Sequence, residues 1–171
     1  SKSKIRGVSV HDYSYSLNAL KGILRKVDFL PVKGMAAHAV DAYRSDLLTK
    51  ANISAATNFA AMNPIEVFHL KKKTTYKIGS LPDDLVVRKL SSNLRHSAAL
   101  KLRGRDFVVE NLRLHMEEGV PYRLYRIDVK SFYESFAQDD ILRRVSALSS
   151  VSPISTTHLK VLLNFYVAKG G

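Results

Sequence analysis

Apolar positions along the chain change period several times, and each change marks an element. Leu17, Leu20, Ile23, Leu24 and Val27 recur at helical spacing after Ser14 and Ser16, either of which can cap a first helix; Pro31 and Gly34 break it. A second helix is predicted from Met35 to Lys50, with Val40, Tyr43, Leu47 and Leu48 inward. Residues 51–62 are alanine-rich and fit no single period, and Asn63-Pro64 closes them. The runs Ile65–Leu70 and Thr74–Ile78 favour extended structure, and Lys71, Lys72 and Lys73 between them read as the tip of a hairpin.

Helical spacing returns after Pro82. Leu85, Val86, Leu90, Leu94, Ala98 and Leu102 share a stripe, with Asp83 and Asp84 suited to the positive end of the helix. Gly104 interrupts it, and a further helix is predicted from Asp106 to Glu118, ended by Gly119 and Pro121. Residues 122–129, YRLYRIDV, alternate as a strand: Tyr122, Leu124, Arg126 and Asp128 on one face, Arg123, Tyr125, Ile127 and Val129 on the other. Two more helices follow, near 139–149 behind Asp139-Asp140, and from Ser155 to Ala168 with Leu159, Leu162, Leu163 and Tyr166 inward. The sum is an α+β chain in which helices dominate and three strands leave a sheet unfinished.

Charge narrows the function. Among 171 residues, 27 are Lys or Arg and 15 are Asp or Glu, a net charge of +12. That excess on a chain with an ordinary 46% apolar content points to polyanionic partners, nucleic acid before membrane. No apolar run reaches the ~20 residues that span a bilayer, and no secretory signal opens the chain, so a cytoplasmic location is expected. The absence of cysteine removes disulfides, thiolate metal sites and cysteine nucleophiles. The basic start, SKSKIRGVSVHD, reads as a mobile arm or one that touches nucleic acid. Phosphate-binding glycine loops, zinc-spaced histidine pairs and Gly-x-Ser-x-Gly elbows are all missing. His115 and His158 lie within helical patterns, as packed or solvated residues rather than metal ligands.

Asp128 is the residue with most chemical promise. A carboxylate on a largely apolar and aromatic strand is costly unless a cation or donors compensate it. It can open a turn or cap a short helix, or it can hold a metal. Its surroundings, Arg126-Ile127-Asp128-Val129-Lys130-Ser131-Phe132-Tyr133-Glu134-Ser135-Phe136, resemble the first catalytic motif of prokaryotic reverse transcriptases of the retron, group II intron and phage-defence kinds. There an Asp ends the first palm strand and an aromatic pair follows four and five residues on. Upstream, Asn111 and His115 match an Asn and a His four apart in the same family, and the lysine-tipped hairpin followed by a long helix resembles its fingers. The likeness covers residues 64–171.

That resemblance implies three segments: a helical N-terminal extension at 1–63, a fingers-like region at 64–121, and the start of a right-hand polymerase palm at 122–171. It implies RNA-directed DNA polymerisation by two Mg²⁺ ions, which require hard oxygen ligands. Asp128 would hold metal, assisted by the Val129 backbone carbonyl. Tyr133 would gate the sugar against a 2′-OH, with Phe132 beside it at the nucleotide or as buried support for the strand. Lys73 and Lys77 would meet the incoming deoxynucleotide triphosphate; Lys77 stands where many relatives carry an arginine, and it lacks the bidentate fork. Lys71, Lys72, Arg103, Arg105 and Arg113 would grip the nucleic acid backbone, although on charge alone the hairpin lysines fit a solvated turn equally well.

The family's second carboxylate motif, Tyr-x-Asp-Asp, is absent. Asp83-Asp84 and Asp139-Asp140 read as helix starts instead. The chain stops at Lys169-Gly170-Gly171, where the family continues into a loop, so the expectation is the first part of a longer enzyme, inactive by itself. Expected partners are an RNA template or structured non-coding RNA, nascent DNA, deoxynucleotides, and a second subunit or oligomeric copies for the N-terminal extension. The wording of the motif is nearest to the antiphage-defence enzymes. The rival readings are a non-enzymatic RNA-binding adaptor carried by the +12 charge, and a catalytically dead polymerase-like scaffold.

Overall fold

The computed structural model describes residues 11–59, 64–70, 73–99, 104–121, 123, 125 and 135–170, with the side chains of Lys73 and Arg105 excepted. Among these residues the chain is helix-rich with one small antiparallel sheet, an α+β mixture. The elements are α1 (Leu17–Lys21), a 3₁₀ helix (Lys26–Val32), α2 (Ala37–Ala56), β1 (Ile65–Leu70), β2 (Lys73–Ile78), α3 (Leu81–Ser97), α4 (Arg105–Glu117), α5 (Gln138–Ser146) and α6 (Pro153–Ala168). Among the described residues, no helix is long and apolar enough to cross a membrane.

The core is built by α2 and α3, with α1 and α6 closing it. Leu20, Leu47, Leu48, Ala51, Ala55, Phe59, Leu85, Val86 and Leu90 are buried together, and Leu159, Val161 and Leu162 of α6 pack against them. Each fully buried Leu or Phe contributes about 1.5–3 kcal/mol of transfer free energy. The interior thus joins segments that lie on both sides of residue 63.

The first two predicted helices have different lengths from those expected. The first stripe does not run from Leu17 to Val27: α1 is capped by Ser16, whose Oγ accepts from the Ala19 N–H at 3.3 Å, and it ends at Gly22 after five residues. Arg25 is extended, and Asp28 then starts the 3₁₀ helix by accepting from the Arg25 N–H at 2.7 Å. Val27, placed inward by periodicity, is exposed, because a buried ion pair at Asp28 sets the rotation of this turn. In contrast, α2 continues past Lys50 to Ala56, through the first half of the ambiguous alanine-rich stretch. It ends in a Schellman arrangement, with Phe59 N–H to Ser54 C=O at 3.0 Å and Asn58 N–H to Ala55 C=O at 3.4 Å. Asn58 tolerates its φ of 50°, whereas Phe59 at φ 62° is strained. Burial of the Phe59 ring, 5.5 Å from that of His158, offsets the strain.

The hairpin forms with the register Leu70↔Lys73 to Ile65↔Ile78, so Lys73 belongs to β2 rather than to the tip. Helix α3 stops at Ser97, with Ala98 as its cap and Ala99 at φ 49°, short of the stripe read through Ala98 to Leu102. A pair of hydrogen bonds fixes this end: Ser97 Oγ donates to the Ser150 carbonyl at 3.1 Å and Ser150 Oγ to the Ser97 carbonyl at 3.2 Å. Helix α4 ends with Glu118 as its cap and Gly119 beyond it at φ +67°. The strand expected at 122–129 lies largely outside the described residues; Arg123 and Tyr125, which are described, are exposed and lie in no strand. His11 and Asp12 do not belong to a free arm. His11 stacks on His96 with ring centroids 4.3 Å apart, and its Nε2 donates to Asn93 Oδ1 at 2.9 Å.

Candidate nucleic-acid interface

The motif that carries the chemical expectation, with Asp128, Val129, Phe132 and Tyr133, lies outside the described residues, as do Lys71, Lys72 and Arg103. The neighbouring elements are described. Two-residue spacing between Leu70 and Lys73 leaves Lys71 and Lys72 as the connection between β1 and β2. On β2, Lys77 Nζ lies 2.9 Å from Glu66 Oε2 and 6.0 Å from the Phe68 ring centroid. Both members of that ion pair are about half exposed, so water screens it and it holds the lysine only weakly.

Arg105 opens α4. About two turns further, Arg113 pairs on its own helix with Glu110 at 2.7 Å and Glu117 at 3.1 Å, and all three side chains are exposed, so water screens these pairs too. Asn111 donates to the Phe107 carbonyl at 2.7 Å, and His115 lies exposed 3.6 Å from Glu118. Phe107, Val108, Val109, Leu114 and Met116 on α4 are all exposed.

The acidic pairs behave as helix starts. Ser80 caps α3 by accepting from the Asp83 N–H at 3.2 Å, while its own Oγ donates to Asp83 Oδ2 at 2.7 Å. Asp83 is buried and also accepts from Ser54, and Asp84 pairs with Arg88. Asp140, in the first turn of α5, pairs with Arg143. Among the described residues no three His, Asp or Glu side chains converge as metal ligands. The described carboxylates therefore do not by themselves supply the ligand set of a two-ion magnesium site.

Two polar clusters escaped the sequence reading. In the first, Asp28, with its side chain 1% exposed, accepts from Arg88 Nη1 at 3.0 and 2.9 Å, and Arg88 reaches Asp84 on its other side. In the second, buried Asn93 donates to the Tyr13 carbonyl at 2.9 Å and to Ser155 Oγ at 3.3 Å. Ser155 lies 3.1 Å from the Tyr15 hydroxyl, and the Tyr15 ring meets His158 edge-on at 4.5 Å. Together these bonds tie residues 11–15 to α3 and α6. Burial raises the Tyr15 pKa and lowers that of His158, and it also lowers that of Lys89, which donates to the Asp12 carbonyl. His158 Nε2 donates to the Ala55 carbonyl at 2.8 Å, leaving its buried Nδ1 without a partner. The sequence signal was available only in part: Asn93 and His158 sit inside apolar stripes, but their partners are far away along the chain.

Comparison of the chain with protein-family models, with curated proteins and with solved structures finds no match.

Proposed function

We propose that the chain is the N-terminal extension, fingers and first palm segment of a prokaryotic reverse transcriptase of the antiphage-defence type. The observation that carries the reading is the string Ile127-Asp128-Val129-Lys130-Ser131-Phe132-Tyr133-Glu134-Ser135-Phe136, in which a carboxylate precedes an aromatic pair at the family's spacing. The order of a lysine-joined hairpin followed directly by the long helix α3 supports it, as does the net charge of +12.

In this reading Mg²⁺ supplies charge neutralisation for the triphosphate and activation of the primer 3′-OH when bound. Asp128 and the Val129 carbonyl would be its ligands from this chain, and the reading requires a second carboxylate pair that residues 1–171 do not contain as a Tyr-x-Asp-Asp motif. Tyr133 excludes the 2′-OH, Phe132 supports it, and Lys73 and Lys77 face the triphosphate. Lys77 must exchange Glu66 for the nucleotide, a small cost for a solvent-screened pair. Lys71, Lys72, Arg103, Arg105 and Arg113 line the path of the template and primer. The test is primer extension on an RNA template by the full-length gene product with deoxynucleotides and Mg²⁺. Template-dependent extension is expected; RNA binding with no extension would favour the adaptor or scaffold reading.

A further inference from the structure

A concavity of about 920 Å³ opens where the turn after α1 faces α3; Ile23, Leu24 and Val87 give its lining an apolar part, and arginine, serine and histidine side chains supply the rest. Arg25 and Arg95 stand in its wall with Ser91, Ser92 and the stacked His11–His96 rings. Among the described residues no carboxylate lines it. Arg88 also reaches the wall, but its guanidinium is held by Asp28 and Asp84 and serves the fold. Arg25 and Arg95 differ: both are exposed, and neither has an ion-pair partner among the described residues. Two guanidiniums from segments far apart in sequence, neither ion-paired among the described residues, thus line one concave surface.

Guanidinium forks match phosphate oxygens, and serine hydroxyls and imidazole N–H groups add donors at the same surface. The concavity is open to solvent rather than enclosed. A site for a small ligand surrounds most of it, whereas an open cationic groove suits a polymer that enters and leaves. We propose that this groove binds the phosphodiester backbone of single-stranded nucleic acid, with Arg25 and Arg95 as its two phosphate contacts. The lining residues are none of those in the Asp128 motif, and the proposal does not depend on polymerase activity.

The experiment measures fluorescence anisotropy of a labelled oligouridylate with the full chain and with Arg25→Gln/Arg95→Gln, at several salt concentrations. Each lost phosphate contact lowers the salt slope for a single strand by about 0.7, so the double variant should lose roughly 1.4 from the slope and about tenfold or more in affinity. Lys50→Gln/Arg144→Gln, which removes the same charge at other exposed positions, should bind nearly as the parent does. Equal weakening by both pairs would show diffuse attraction by the net charge and overturn the site. Unchanged affinity in Arg25→Gln/Arg95→Gln would do the same. Competition by inorganic phosphate or uridine monophosphate at the oligonucleotide's own concentration would overturn the strand and indicate a small phosphorylated ligand. Both substituted arginines are exposed, so unchanged circular dichroism melting is expected and confirms that folding is not the cause.

Discussion

Replacing Asp28 by Asn tests how the N-terminal segment is held on α3. The substitution conserves shape and removes the negative charge that accepts two hydrogen bonds from Arg88, at 3.0 and 2.9 Å, and one from the Arg25 N–H at 2.7 Å. Removing one partner of a buried ion pair costs about 3–5 kcal/mol, because the other charge is left without compensation. Here the side chain of Arg88 is 15% exposed and keeps Asp84, itself 33% exposed, so the lower end applies, about 3 kcal/mol. In urea, with a slope of about 1–3 kcal/mol/M, that moves the unfolding midpoint down by roughly 1–3 M. The double variant Asp28→Asn/Arg88→Met should recover much of the loss, since it removes the stranded charge as well. A shift below about 0.5 kcal/mol, the size of an ordinary surface substitution, would refute a buried pair at this position.

Two further outcomes follow from single side chains. Burial holds the His158 pKa below its usual 6.5, so the unfolded chain takes up a proton first as pH falls. Stability from this residue is therefore complete above pH 6.5, falls as the pH drops below that value, and levels off below the folded-state pKa; urea midpoints across this range should fall less in His158→Gln, and an identical pH profile in the variant would remove the assignment. Under the polymerase reading, Tyr133→Ala should admit ribonucleotides during primer extension, and unchanged sugar selection would remove Tyr133 as the gate.

Local rules accounted for the later helices because their signals are local. Asp83 and Asp84 lie in the first turn of α3, Asp139 and Asp140 in that of α5, and Gly119 follows the cap of α4. The first segment went differently because distant residues shape it. Asp28 sits in an apolar-looking stripe, and only Arg88, far along the chain, explains its burial and the exposure of Val27. The same applies to Asn93, which reads as one polar residue on α3 until the Tyr13 carbonyl and Ser155 arrive beside it. Periodicity counts apolar positions and is blind to such pairings. At the candidate site, the Asp128 motif was legible from its resemblance alone. Arg25 and Arg95 gave no motif, since their common feature is a shared surface rather than a spacing.

The most direct measurement compares Asp128→Asn with the parent in the full-length gene product, reading primer extension and RNA affinity on the same preparation. The polymerase account predicts that extension in Mg²⁺ is abolished while RNA affinity is kept. Extension that survives the loss of this carboxylate would contradict it.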